Sequence, residues 1–212
     1  MSTSQRSRPR RGYQPIRRLA LQLGRIGVTS EVVSMHGMIF GILAGGFFMW
    51  TGMGEDPDRY WVSGMIFCLL RIVTIRLDQA MQLPHQRSNP EEYSFSEVPE
   101  RVSDAVTLIG FGFAVDSDPW LGLAAALAAI LSAYVRSYAV MRGAARKSAS
   151  SGPMTRTHRL LLVSVTAIVI VLPLPSDRVA TPIPIIALWV ILVGCVATIL
   201  IRWLNLQAPA KS

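Results

Sequence analysis

Hydrophobic positions in this chain come in long blocks parted by short polar segments, and the period within the blocks is helical. Between residues 13 and 28, Ile16, Leu19, Leu23 and Ile26 fall on one helical face while Arg17, Arg18, Gln22 and Arg25 take the other. That pattern predicts an amphipathic helix lying in the headgroup layer, with a surface helix packed against protein as the other reading. Six longer apolar blocks follow, at about residues 31–51, 60–78, 96–115, 120–143, 158–174 and 182–206. Each approaches the roughly 20 residues that a helix needs to cross a bilayer, although only the second half of the third block suits lipid. Gly37, Gly41 and Gly45, spaced by four, leave a strip where a neighbouring backbone can approach closely. The predicted class is all-α: a polytopic membrane protein with six transmembrane helices and an N-terminal interfacial helix. Its organisation is a basic arm and interfacial helix over 1–30, a six-helix domain over 31–206 and a cytoplasmic tail over 207–212.

Composition strengthens this picture. Hydrophobic residues make up 51% of the 212, charged residues only 16%, and mean hydropathy is +0.39; a soluble domain carries more charge. The net charge of +8 comes almost wholly from Arg, Lys147 and Lys211 being the only lysines. These cations sit mostly at the edges of apolar blocks, which argues for a membrane surface over a nucleic acid. Residues 1–12 form a basic arm without apolar content, expected to be disordered, and no signal-peptide pattern follows its arginines. Cys68 and Cys195 lie within apolar runs without metal-ligand spacing and read as small core residues.

The Arg and Lys bias sets orientation. Arg6, Arg8, Arg10, Arg11, Arg17, Arg18 and Arg25 precede the first long block, and Arg142, Arg146, Lys147, Arg156 and Arg159 surround the loop after the fourth. The alternate loops offer Arg59 and Arg178 beside Glu55, Asp56, Asp58, Asp116, Asp118 and Asp177. Both termini and residues 79–101 are therefore expected on the cytoplasmic side.

The chemistry-bearing residues gather on that same side. Arg71, Arg76 and Asp78 interrupt the second block, and Glu97, Glu100 and Asp104 open the third at i, i+3 and i+7, on one helical face. Arg136 lies about 10 Å from the cytoplasmic end of the fourth helix at ~1.5 Å per residue, and Arg156 and Arg159 begin the fifth. Charges placed so deep must face a cavity or each other. Three readings follow: a divalent metal with a phosphate-bearing ligand, since hard oxygens bind Mg²⁺ and guanidinium forks bind phosphate; a structural ion-pair network; or an ion path in a transporter. His36, His85 and His158 are scattered and carry no assigned role.

Several segments resemble the CDP-alcohol phosphatidyltransferases. GVTSEVVSMHGMIFGILAG at 27–45 is similar to that family's opening into its first transmembrane helix, and SEVPERVSD at 96–104 to a segment of some bacterial members. SAYVRSY at 132–138 and GPMTRTHR at 152–159 resemble the helix 4 and helix 5 entry segments of the same group, so the likeness spans most of 26–160. The family motif, D-x-x-D-G-x-x-A-R-x8-G-x3-D-x3-D, aligns its second Asp with Asp78 and its last with Glu100. Its first Asp falls on Ile75, its glycines on Gln79 and Glu92, its Ala-Arg pair on Gln82 and Leu83, and its third Asp on Ser96.

The resemblance implies a bacterial inner-membrane protein of six helices, often a homodimer. Its reaction transfers a phosphatidyl or related group from a CDP-activated lipid to an alcohol acceptor and releases CMP. Four aspartates hold two metal ions in such proteins, the last serving as general base. Carried onto this chain, Glu100 is the base, Asp78 and Glu100 are the metal ligands, and Arg136, Arg156 and Arg159 bind phosphate. Glu97 and Asp104 are accessory acids, although Glu97 points about 100° away from Ser96 on a helix. With two of four anionic ligands replaced, Mg²⁺ or Mn²⁺ is expected at a single weak site. A catalytically inactive member acting in lipid or nucleotide binding, or in assembly, is the alternative.

Overall fold

A computed structural model describes residues 14–85, 92–142, 152–172 and 182–207; the basic arm, the tail beyond 207 and most of the charged loop after Met141 lie outside them. Among the described residues there are seven helices and no strand: α1 (Gln14–Arg25), α2 (Ser30–Trp50), α3 (Pro57–His85), α4 (Glu92–Gly112), α5 (Pro119–Met141), α6 (Arg156–Val171) and α7 (Ile183–Gln207). Four of them, α2, α3, α5 and α7, have the length and apolar composition to cross a membrane. The 16 residues of α6 reach about 24 Å at ~1.5 Å per residue, and the first half of α4 is polar.

The glycine strip shapes the packing. A Cβ on Gly41 would strike Ser103 of α4, one on Gly45 the backbone of Val106, and one on Gly110 the backbone of Gly45. These absences bring α2 and α4 into backbone contact, which lets Thr107 Oγ1 donate across to Gly41 O at 3.0 Å. α2 packs equally on α3; α4 continues onto α5, α5 onto α7, and α3 onto α6. At one end Phe48, Trp61 and Phe111 form a buried aromatic cluster with ring centroids 5.3–5.6 Å apart. The two edge-to-face pairs, Phe48–Phe111 and Trp61–Phe111, add about 0.5–1.5 kcal/mol each beyond area burial.

Two boundaries differ from the sequence reading, which ended the second block at 78 and began the third at 96. α3 runs on to His85 and α4 begins at Glu92. The extension has a tertiary cause: Ala80 and Met81 pack with Leu77 against Ala20 of α1 and Val33 of α2, so helical backbone continues where hydropathy fades. α1 is a separate helix, broken from α2 by a turn in which Gly27 adopts φ +83°. Its inward stripe is Ile16, Ala20 and Leu23, whereas Leu19 (44% exposed) and Ile26 (74%) of the expected apolar face point outward. The helix thus divides its apolar surface between protein and surroundings.

Candidate functional site

Polar side chains are concentrated where α2, α3, α4 and α6 converge, at the opposite end from the aromatic cluster. The segment 152–159 is held in place by α7: Met154 N donates to Thr198 Oγ1 at 3.0 Å, and the Met154 side chain lies over Gly194. Thr155 then caps α6 by accepting from His158 N at 3.5 Å, while His158 Nδ1 bonds Pro153 O at 2.9 Å. This clamp fixes the first turn of α6 and directs Arg156 and Arg159 toward α4.

There they meet the acids of SEVPERVSD. Arg156 Nη1 lies 2.6 Å from Glu100 Oε2 and its Nε 3.2 Å from Asp104 Oδ2; Arg159 Nη2 reaches the same Asp104 oxygen at 2.6 Å. Glu100 and Asp104, one helical turn apart, face the same way as the i, i+4 relation requires. Asp104 and Arg159 are buried, at 7% and 6% exposure, so their attraction is little screened. Asp104, Thr107, Leu108, Arg159, Leu160 and Val163 line a small cavity beside the pair.

Asp78 is buried on α3 and its Oδ1 accepts a hydrogen bond from Ser30 Oγ at the start of α2. Two helical turns earlier on α3 lies Arg71, the residue the sequence reading left without a role. This side chain is 1% exposed. Its Nη1 donates to Thr74 Oγ1 at 3.4 Å, and its guanidinium fills the space a Cβ on Gly37 would take. The charges of Asp104, Glu100 and Asp78 attract it, while that of Arg156 opposes it. An arginine inside an apolar block was itself the signal of a functional position; no motif pointed to it.

The structure therefore brings Glu100, Asp104, Arg156 and Arg159 into direct contact and holds Asp78 within the same field. Arg136 is half-buried on α5, its charge bearing on Arg202 of α7. Arg202 Nη1 donates to Ser132 O at 2.6 Å and to Ser132 Oγ at 3.0 Å, tying α7 to α5. The Glu97 side chain lies outside the described residues.

The two divalent ions implied by the resemblance do not fit these donors. Ile75, at the first aspartate position, is a core residue at 2% exposure with no oxygen to offer. Glu100 and Asp104 already face guanidinium groups at bonding distance. No three Asp, Glu, His or Cys side chains among the described residues are grouped as metal ligands.

No family model matches the sequence, and no curated protein matches it. Solved structures do. Phosphatidylinositol phosphate synthase (PgsA1) of Mycobacterium tuberculosis, a CDP-alcohol phosphatidyltransferase, superposes in its CDP-DAG-bound form with a TM-score of 0.70. The match covers 93% of this chain and 96% of that one at 18% identity. Its complex with manganese and citrate gives 0.69 over 92% and 90% of the two chains at 19% identity, and its apo form 0.66 over 90% and 95% at 19%. The chain is thus similar in fold, along nearly its whole length, to a phosphatidylinositol phosphate synthase.

Proposed function

We propose that this protein is a membrane-bound CDP-alcohol phosphatidyltransferase of phospholipid synthesis, acting on a CDP-activated lipid and an alcohol acceptor. The observation that carries the reading is the near-complete fold correspondence with a synthase crystallised with CDP-DAG. The convergence of Glu100, Asp104, Arg156 and Arg159 at one end of the bundle supports it. In this reading α2 to α7 all traverse the bilayer as one domain, the polar positions of α4 turned inward, with the site and both termini on the cytoplasmic side. α1 rests at the headgroup layer, its exposed Arg18 and Arg25 toward phosphates and its exposed Leu19, Leu21 and Ile26 toward acyl chains. The protein works as a homodimer.

The reaction joins the acceptor hydroxyl oxygen to the β-phosphorus of the CDP-lipid and breaks that phosphorus's bond to the bridging oxygen, which leaves with CMP. Glu100 is the base: Arg156 engages Oε2, and Oε1 takes the hydroxyl proton. Arg156 and Arg159 neutralise phosphate oxygens as charge develops on them, and Arg136 meets the acceptor from α5. Asp104 orients both α6 arginines. Asp78, tied to Ser30, holds the end of α3 against α2 where the nucleotide enters.

The test is CMP release from proteoliposomes containing the full chain, CDP-diacylglycerol and a panel of phosphorylated and free polyols. At least one acceptor should support turnover, and Glu100→Gln should cut it by roughly 10²- to 10⁴-fold, the range for loss of a general base. No CMP with any acceptor, or full turnover by Glu100→Gln, refutes the assignment.

A further inference from the structure

The proposed site has an unusual source of positive charge. Where the resemblance implies four carboxylates facing two divalent ions, this chain sets Asp78, Glu100 and Asp104 against Arg71, Arg156 and Arg159. Both arrangements sum to zero, but here the cations are covalently part of the protein. Arg71 lies one helical turn before Ile75 on the same face of α3, so a fixed guanidinium accompanies the loss of the first ligand.

Hydrogen bonding in the cluster is incomplete. Arg71 Nε and Nη2, Arg159 Nε and Asp104 Oδ1 are buried and have no hydrogen-bond partner. Unmatched buried N–H groups on a charged side chain are costly, and two of these belong to a guanidinium almost wholly removed from solvent. Gly37 keeps that guanidinium in place by withholding a Cβ. Two parallel N–H donors in a rigid plane match the oxygens of a phosphate. A phosphate group reaching Arg71 supplies acceptors for the two donors that the protein leaves unmatched there.

Resting on the function proposed above, we infer that this site binds the pyrophosphate of its CDP-lipid without a divalent cation, Arg71 providing, with Arg156 and Arg159, the positive charge that metal ions would otherwise supply. Arg71 is then a substrate-binding residue, and Ile75 and Ser96 are compatible with function because no metal has to be held.

The full chain in lipid nanodiscs, titrated with CDP-diacylglycerol in EDTA and again in Mn²⁺, tests this. Affinities in the two conditions should agree within about twofold, and Mn²⁺ paramagnetic resonance should show no stoichiometric tight uptake. Arg71→Met should weaken binding roughly 10- to 100-fold, the worth of charge-assisted hydrogen bonds, whereas Arg71→Lys, keeping the charge, should lose less. Binding that requires Mn²⁺, tight Mn²⁺ uptake by the unliganded protein, or unchanged affinity in Arg71→Met overturns the inference and leaves the transferase reading standing. Binding in neither condition overturns both. Should Arg71→Met fail to fold, the EDTA and Mn²⁺ measurements on the unaltered protein decide alone.

Discussion

Replacing Asp104 isolates the energetics of the buried cluster. Its Oδ2 accepts from Arg159 Nη2 at 2.6 Å and from Arg156 Nε at 3.2 Å. Arg156 also lies 2.6 Å from Glu100, so the loss should fall mainly on Arg159. That side chain keeps a thiol contact, Nη1 to Cys195 Sγ at 3.9 Å, and is 6% exposed. Removing one partner of a buried pair costs about 3–5 kcal/mol, because the remaining charge is left uncompensated. Asp104→Asn, whose amide oxygen still accepts a hydrogen bond, should fall near the lower figure and Asp104→Ala near the upper. Arg159→Met combined with Asp104→Asn removes both charges, so its cost should be less than the sum of the single costs by about 0.5–3 kcal/mol, the range for contacting residues. Equilibrium unfolding of the four proteins in mixed micelles, followed by far-ultraviolet circular dichroism, gives the cycle. A loss under about 1 kcal/mol for Asp104→Asn, or strict additivity, would show that the pair is hydrated and that the buried-cluster argument is wrong.

Two further outcomes are expected. Gly45→Ala and Gly110→Ala should each destabilise by about 1–3 kcal/mol through overpacking, because the added Cβ meets backbone of the facing helix and not a movable side-chain tip; unfolding midpoints equal to the unaltered protein's would refute the close α2–α4 crossing. A cysteine placed at Ser88 should resist an impermeant thiol reagent added to intact cells while one at Ser176 reacts, and the reverse pattern would invert the proposed topology.

Much of the fold was legible because long apolar helices announce themselves by length and hydropathy, and four of those found here have the length and apolar composition to cross a membrane. The six long blocks and the amphipathic segment all correspond to helices, and the four-residue spacing of Gly37, Gly41 and Gly45 foretold close approach. Spacing along one helix, a local property, likewise put Glu100 and Asp104 on a shared face. Boundaries were less legible: the extension of α3 past Asp78 depends on packing against α1, a partner nearly sixty positions earlier in the chain. So does the true inward stripe of α1, where Ala20 displaced Leu19 and Ile26. A motif read along the sequence could mark Ile75 and Ser96 as missing ligands, but it could not say what stands in their place. That answer required α6 to be clamped by Thr198, so that its arginines meet α4, and Gly37 to open room for Arg71 between α2 and α3. Charge pairing between helices is set by rotation and depth in the bundle, which only tertiary packing determines; the sequence alone established that buried charges existed and had to find partners.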